Sequence, residues 1–408
     1  MRVAVSAFGV EFGLFSIVCV YLAVQTLPFL GSILPPIVTS TGVAVTTQSI
    51  SIAPGDTLLM LLRWLTYGSF FFLMLQVARN DRRRIFVLKG IVLIMASHAL
   101  LAILMFYQWG NTLLGLEKWG YLDSATGTFV NRNSFATFMA LGITVTLSLF
   151  AEHVFSTKES KQRGIDLTPV LYLLAALVML GAVFSSNSRM GLAVSLIGAT
   201  IALLGALLKR TSRSRISVVA IMLIIGGAIG VAALYGPSIW QRFLTVEDST
   251  AVRMNLYQQV WAMILDRPLL GYGGGSFEQV YQLFHRAPVS PEFVWIRAHN
   301  TYLTLWSELG FIVGSIPMVL LALTVVRLIK SFALFESGWA SPLACLAAIV
   351  VVAVHSSVDF SLEMQANVFL FLALLANAMA GVRSQAAASA RARKSGSKQL
   401  AAKPGLAA

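Results

Sequence analysis

The feature that most limits what this chain can fold into is a recurrence of apolar runs, each about 17–25 residues long. Such a run is enough to cross about 30 Å of hydrocarbon as a helix. The runs fall at 12–30, 57–77, 85–107, 134–152, 168–185, 190–208, 216–236, 301–326, 342–357 and 365–382. Of the 408 residues, 57% are apolar and 12% charged, whereas a soluble domain has about 25% charged. An ordinary water-soluble enzyme is excluded, and an all-α polytopic membrane protein with about ten transmembrane helices is expected. The formal charge of +13 calls for no nucleic-acid partner, because Lys and Arg also sort loops to one side of a membrane. Cys19 and Cys345 lie inside apolar runs and suggest neither a metal cluster nor a disulfide. The first run reads as a retained span, since Glu11 interrupts it and no small-residue cleavage site follows.

Charge assigns the sides. Alternate connections carry Arg79, Arg82, Arg83 and Arg84; Lys158, Lys161 and Arg163; Lys209, Arg210, Arg213 and Arg215; and Arg327 with Lys330. The others are nearly bare, so an even number of spans with both termini cytoplasmic is expected. The connection 237–300 falls on the outer side although it holds Arg242, Arg253, Arg267, Arg286 and Arg297; long loops translocate regardless of charge. The expected organisation is a single transmembrane domain, 1–383, enclosing this loop. A basic cytoplasmic tail, 384–408, is expected to be disordered. Within the loop, Val252, Leu256, Val260 and Ile264 recur at helical spacing, with Arg253, Tyr257 and Trp261 on the adjacent face. An amphipathic helix on the membrane surface is expected there, ended by Asp266-Arg267-Pro268. The following Gly271-Tyr272-Gly273-Gly274-Gly275-Ser276 lacks the Lys of a nucleotide-binding loop and reads as a turn.

Candidate chemistry gathers at the outer ends of the spans. Arg189 sits in a break of a few polar residues, Ser185 to Met190, where a turn needs only small side chains. Its plain role is to reach lipid phosphate; its functional role is a bidentate grip on a phosphate group. Arg253 invites the same two readings, and two such arginines at one cavity mouth would make a diphosphate clamp. His299 and Asn300 stand where the large loop re-enters the membrane. An imidazole there is either a satisfied interfacial residue or a base able to take a proton from a hydroxyl near pH 7. Glu308, eight residues beyond Asn300, either faces the same cavity or pairs with an Arg. Asn131, Arg132 and Asn133 precede the fourth span and either cap it or bind sugar hydroxyls or phosphate. Asp56, Asp123, Asp248, Asp266 and Asp359 are scattered, which disfavours metal-dependent phosphoryl chemistry. No cofactor or metal is called for.

Taken in order, Gly127-Thr-Phe-Val-Asn-Arg-Asn133, Ser188-Arg189, Arg253 with Trp261, Pro268 to Phe277, and His299-Asn-Thr-Tyr-Leu with Glu308-Leu-Gly310 resemble the O-antigen ligase and polymerase family. The matching block runs from about 127 to 315. The resemblance implies a metal-independent, helical, lipid-sugar-using (GT-C-like) glycosyltransferase in the bacterial inner membrane. Its donor would be a glycan on undecaprenyl diphosphate, used on the periplasmic face with inversion. Arg189 and Arg253 would bind the diphosphate, His299 would be the catalytic histidine, and Asn131, Arg132, Asn133, Asn300, Tyr257 and Glu308 would contact substrate. The acceptor would be lipid A core, or a growing polysaccharide in a polymerase.

Ligases resemble a His-[Asn/Ser/Gln], nine residues, Gly-x-x-Gly pattern. Nine residues separate Asn300 from Gly310, and the second glycine, Gly314, comes one position late. The Arg-ten-residues-Gly spacing of O-antigen polymerases follows no outer Arg here, so a ligase is favoured over a polymerase of O-antigen or exopolysaccharide repeats. A glycan-polymerising shape or division protein would depend on a loop carboxylate such as Asp266 instead of His299. A lipid-sugar transporter would want cations at mid-membrane, and Arg63 and Lys89 both lie near enough to helix ends or the basic loop to snorkel.

Overall fold

The protein is described from a computed structural model, over residues 8–156, 166–209, 246–292 and 294–401. The expected span 216–236 and the start of the large loop lie outside the described residues. Within them the chain is almost wholly helical. In order the helices are α1 (Gly9–Gln25), α2 (Pro54–Val77), α3 (Asp81–Tyr107), α4 (Arg132–Ser156), α5 (Thr168–Ser185), α6 (Arg189–Leu208), α7 (Val246–Asp266), α8 (Phe277–Phe284), α9 (Thr301–Gly314), α10 (Ile316–Leu334), α11 (Ala340–His355) and α12 (Gln365–Ala401). A two-stranded hairpin, β1 (Ile37–Val38) with β2 (Ala44–Val45), sits between α1 and α2. Seven of the described helices are long and apolar enough to cross a membrane, and α1 and α11 are shorter apolar helices. The molecule is a polytopic helical membrane protein.

The centre of the bundle is α4, whose most apolar stretch is 94% buried inside the protein, against 6% for α2. In a lipid solvent, close backbone approach and dispersion hold helices together, so small residues mark the contacts. A Cβ at Gly198 of α6 would lie 2.6 Å from Thr144 Cγ2 on α4 and 2.7 Å from Val351 Cγ2 on α11. Glu152 fixes the far end of α4 by accepting hydrogen bonds from the Gly338, Trp339 and Ala340 N–H groups at the start of α11.

Two expectations need correction. The run 301–326 is not one span but two helices, α9 and α10, and α9 is itself broken at Gly310, with φ 71° and ψ 170°. Phe311 N–H turns to the Pro268 carbonyl (2.7 Å), and the freed Ser307 and Glu308 carbonyls accept from Tyr272 and Gly273 N–H (3.0 Å each). Gln25, the last residue of α1, donates to the Leu270 and Glu308 carbonyls and accepts from Gly274 N–H. The glycine-rich turn is thus the segment that docks onto the broken helix. Second, the apolar face of α7 is not spread on the membrane surface. Leu256, Val260 and Ile264 pack with Tyr272, Phe277, Tyr281 and Ile37 in a core belonging to the loop itself. Helix α12 runs on to Ala401; the Ala, Arg, Lys and Gln of its last part favour helix.

Candidate functional site

At one end of the bundle the N-termini of α4 and α6 meet the face of α7, the last residues before α9, and the turn joining α11 to α12. Asn131 caps α4, its Oδ1 accepting from Asn133 N–H (2.7 Å) and Ser134 N–H (3.1 Å). The cap places Arg132 and Asn133 in the first turn. Arg132 lies over the Tyr121 ring, 5.3 Å to its centroid, and 3.8 Å from Asp123. Its Nε is buried with no hydrogen-bond partner among the described residues. Ser188 caps α6 by accepting from Gly191 N–H (3.1 Å), which makes Arg189 the first residue of that helix. Arg253 comes from α7. Arg189 interacts electrostatically with both Arg132 and Arg253, and Arg132 with Arg253. The three guanidinium groups lie within electrostatic reach of one another, and two of them stand at helix N-termini whose dipoles add positive potential. Among the described residues Arg253 has no salt bridge. Such a gathering of like charges is costly unless an anion occupies it.

Besides Asp123, a buried carboxylate adjoins this space: Asp359, 1% exposed, in the turn after α11. Its Oδ2 accepts from Asn133 Nδ2 (2.7 Å), and its Oδ1 from Phe360 N–H (2.8 Å) and Ser361 Oγ (3.2 Å). Asn133 in turn accepts from Ser188 Oγ (2.9 Å), so one side chain ties α4, α6 and the α11–α12 turn.

His299 is held in a left-handed backbone conformation, φ 53°, a strain that persists only where surrounding contacts impose it. Tyr257 Oη donates to the His299 carbonyl (2.8 Å). Asn300 caps α9, accepting from Tyr302 and Leu303 N–H, and its Nδ2 donates to the Ser357 carbonyl. The His299 ring stands edge-on to Phe360 (4.9 Å between centroids) and Trp295 (5.9 Å). Its Nδ1 is buried with no hydrogen-bond partner among the described residues. Burial holds the imidazole below its ordinary pKa; Asp359 opposes that shift and Arg253 reinforces it. The ring is therefore neutral near pH 7, as a base must be before it acts.

Of the residues singled out by sequence, Arg132, Asn133, Arg189, Arg253, Tyr257 and His299 converge here. Asn131 and Asn300 are adjacent but spend their side-chain oxygens as helix caps. Glu308 lies elsewhere: it is buried, its Oε1 accepts from Phe277 N–H (3.4 Å), and it lines a separate apolar cavity. Asp359 and Tyr121 belong to the site and were not singled out. The signal for Asp359 was its place in a very short outer connection beside Phe360. His355 and His98 are structural, the first bonded to Thr137 and Ser361, the second to Thr128.

The site is thus a cluster of arginines and a buried histidine at one end of a polytopic helical membrane bundle. The family model described as O-antigen ligase matches residues 174–318, a block that contains Arg189, Arg253 and His299. The match makes the chain similar, over that block, to O-antigen ligase/polymerase-like membrane glycosyltransferases. A comparison with curated proteins finds no match.

Proposed function

We propose that this enzyme moves a glycan from a polyprenyl (undecaprenyl) diphosphate carrier to an acceptor sugar hydroxyl, as an O-antigen ligase does to lipid A core, on the periplasmic face of the bacterial inner membrane. The observation that carries the reading is the convergence of Arg132, Arg189 and Arg253 on the space faced by His299. The acceptor hydroxyl oxygen attacks the anomeric carbon, and its proton passes to the His299 imidazole. The bond from the anomeric carbon to the diphosphate oxygen breaks, which inverts the configuration. The guanidinium groups stabilise the departing diphosphate, whose charge grows in the transition state. Asp359 stabilises the imidazolium that forms and, through Asn133, holds the arginine-bearing turns of α4 and α6 in register. This chemistry asks nothing of a metal ion or cofactor. The ligase reading over a polymerase rests on the spacing from His299-Asn300 to Gly310.

The test is deletion of the gene, followed by gel analysis of surface glycan and complementation. Full-length glycan left on its lipid carrier, with bare lipid A core, supports the ligase reading. Glycan halted at one repeat unit assigns the same residues to a polymerase. Full activity of His299→Ala in membranes refutes the assignment of the base.

A further inference from the structure

Among the described residues between α8 and α9 there is neither helix nor strand. Helix α9 fixes the chain after His299, but the chain before it depends on side-chain anchors. Its left-handed backbone, φ 53°, would relax wherever those anchors failed. One anchor is the hydrogen bond from Tyr257 to the His299 carbonyl. The others lie along the turn from α11 to α12, which runs antiparallel to residues 297–301. Thr301 N–H donates to the Ser356 carbonyl (2.9 Å), Asn300 Nδ2 donates to the Ser357 carbonyl (2.9 Å), and the His299 ring packs on Phe360. The last rung of this ladder is ionic: Arg297 Nε meets Glu363 Oε2 at 2.6 Å.

Arg297 thus differs from Arg132, Arg189 and Arg253. It has a carboxylate of its own and calls for no anion. Its side chain is 32% exposed and that of Glu363 18%, so water screens the pair less than an ion pair on an open surface. Both residues line a cavity between α1, α2, α9, α10 and α12, together with Arg63, Thr304 and Glu308. The cavity wall is charged where it meets the turn, and loss of either partner would leave the other charge uncompensated in mostly apolar surroundings.

We infer that Arg297 and Glu363 are positioning residues for the transfer reaction: their ion pair closes the open end of the ladder and holds the His299 ring in its packed orientation against Phe360. The inference rests on the reading of His299 as the base given above. Neither residue touches the reacting atoms. Each acts through the backbone, Arg297 two residues before His299 and Glu363 three residues after Phe360. A base must be held to within a fraction of an ångström of the hydroxyl it serves, and α9 alone restrains only one side of it.

The experiment uses the full-length protein, with two readouts for each variant. The first is glycan transfer in membranes of the complemented deletion strain. The second is NMR of the histidine-labelled protein in detergent, where the His299 ring signals, assigned with His299→Ala, carry ring-current shifts from Phe360 and Trp295. Glu363→Gln keeps the size of the side chain and removes its charge. It is expected to slow transfer at least about tenfold and to move the His299 signals toward those of an unpacked imidazole. Should that variant fail to fold, Arg297→Lys, which keeps both charges and loses the Nε contact, is expected to move both readouts the same way. Glu11→Gln is the control. It breaks an ion pair of the same kind, Arg327 Nε to Glu11 Oε1 at 2.7 Å, at a place that touches neither His299 nor the turn, and it is expected to leave transfer within about twofold and the His299 signals in place. Unmoved His299 signals in Glu363→Gln overturn the inference, and so does an equal loss of transfer in Glu363→Gln and Glu11→Gln. Signals that move while transfer stays intact would instead refute the reading of His299 as the base and leave the hold of the ion pair on its ring standing.

Discussion

Replacing Gly310 by alanine tests whether the break in α9 builds the site or is incidental to it. At φ 71° and ψ 170° the residue occupies a region essentially closed to side chains, and an alanine there costs about 1–3 kcal/mol in backbone strain alone. There is also no room, since a Cβ would overlap the Leu269 carbonyl oxygen. Relief requires the Pro268–Gly273 segment to move off α9, which disrupts the hydrogen bonds Phe311 to Pro268, Tyr272 to Ser307 and Gly273 to Glu308, each contributing about 1 kcal/mol. The sum is about 4–6 kcal/mol, or a fall in midpoint of roughly 5–10 °C for a chain of this size, read by thermal unfolding in detergent. Transfer activity should fall further than stability, because α9 carries Asn300 at its start and the turn it holds leads to α8. Gly338→Ala is the control: φ is 76°, but nothing lies within 4 Å of its Cβ, so only about 1–2 kcal/mol is lost. Equal midpoints for Gly310→Ala and the unmodified protein would refute the docking argument.

The pH dependence of transfer should show an acid limb with its midpoint below the usual range of histidine, because burial disfavours the imidazolium of His299. Asp359→Asn removes a group that raises that pKa and is expected to move the limb to still lower pH, whereas Arg253→Gln removes one that lowers it and moves the limb up; a pH–rate profile of each variant checks both signs. Arg253→Lys keeps the charge and loses the bidentate fork, so the KM for the lipid-linked donor should rise about tenfold or more with thermal stability unchanged. Tyr257→Phe deletes the hydrogen bond to the His299 carbonyl and should cost about 1 kcal/mol, seen as a several-fold loss in kcat with little change in donor KM. Gly198→Val overpacks α6 against Thr144 and Val351 and should destabilise by about 1–3 kcal/mol, lowering the melting midpoint while leaving the pH profile of the residual activity in place.

Hydropathy located most of the described spans to within a few residues because each is a local property of about twenty consecutive side chains. It joined α9 to α10 because Gly310 and Ser315 sit in an unbroken apolar run; the cause of the break, the carbonyls of Pro268 and Leu269, comes from a segment some forty residues earlier. The same distinction divides the site. Arg189 and Arg253 declare themselves by being charged where a membrane chain tolerates few charges, and His299 by standing at a re-entry point. Asp359 is just as charged, but its meaning depends on Asn133, 226 residues away, and on the arginines that α4, α6 and α7 bring around it. Glu308 shows the converse. The sequence left it either facing the cavity of His299 or pairing with an Arg, but two turns of α9 carry it about 12 Å along the helix, to the Phe277 N–H and the separate apolar cavity. Side chains nine residues apart end on different faces of the fold, and a carboxylate that looked isolated in the sequence becomes the counter-charge to the imidazole.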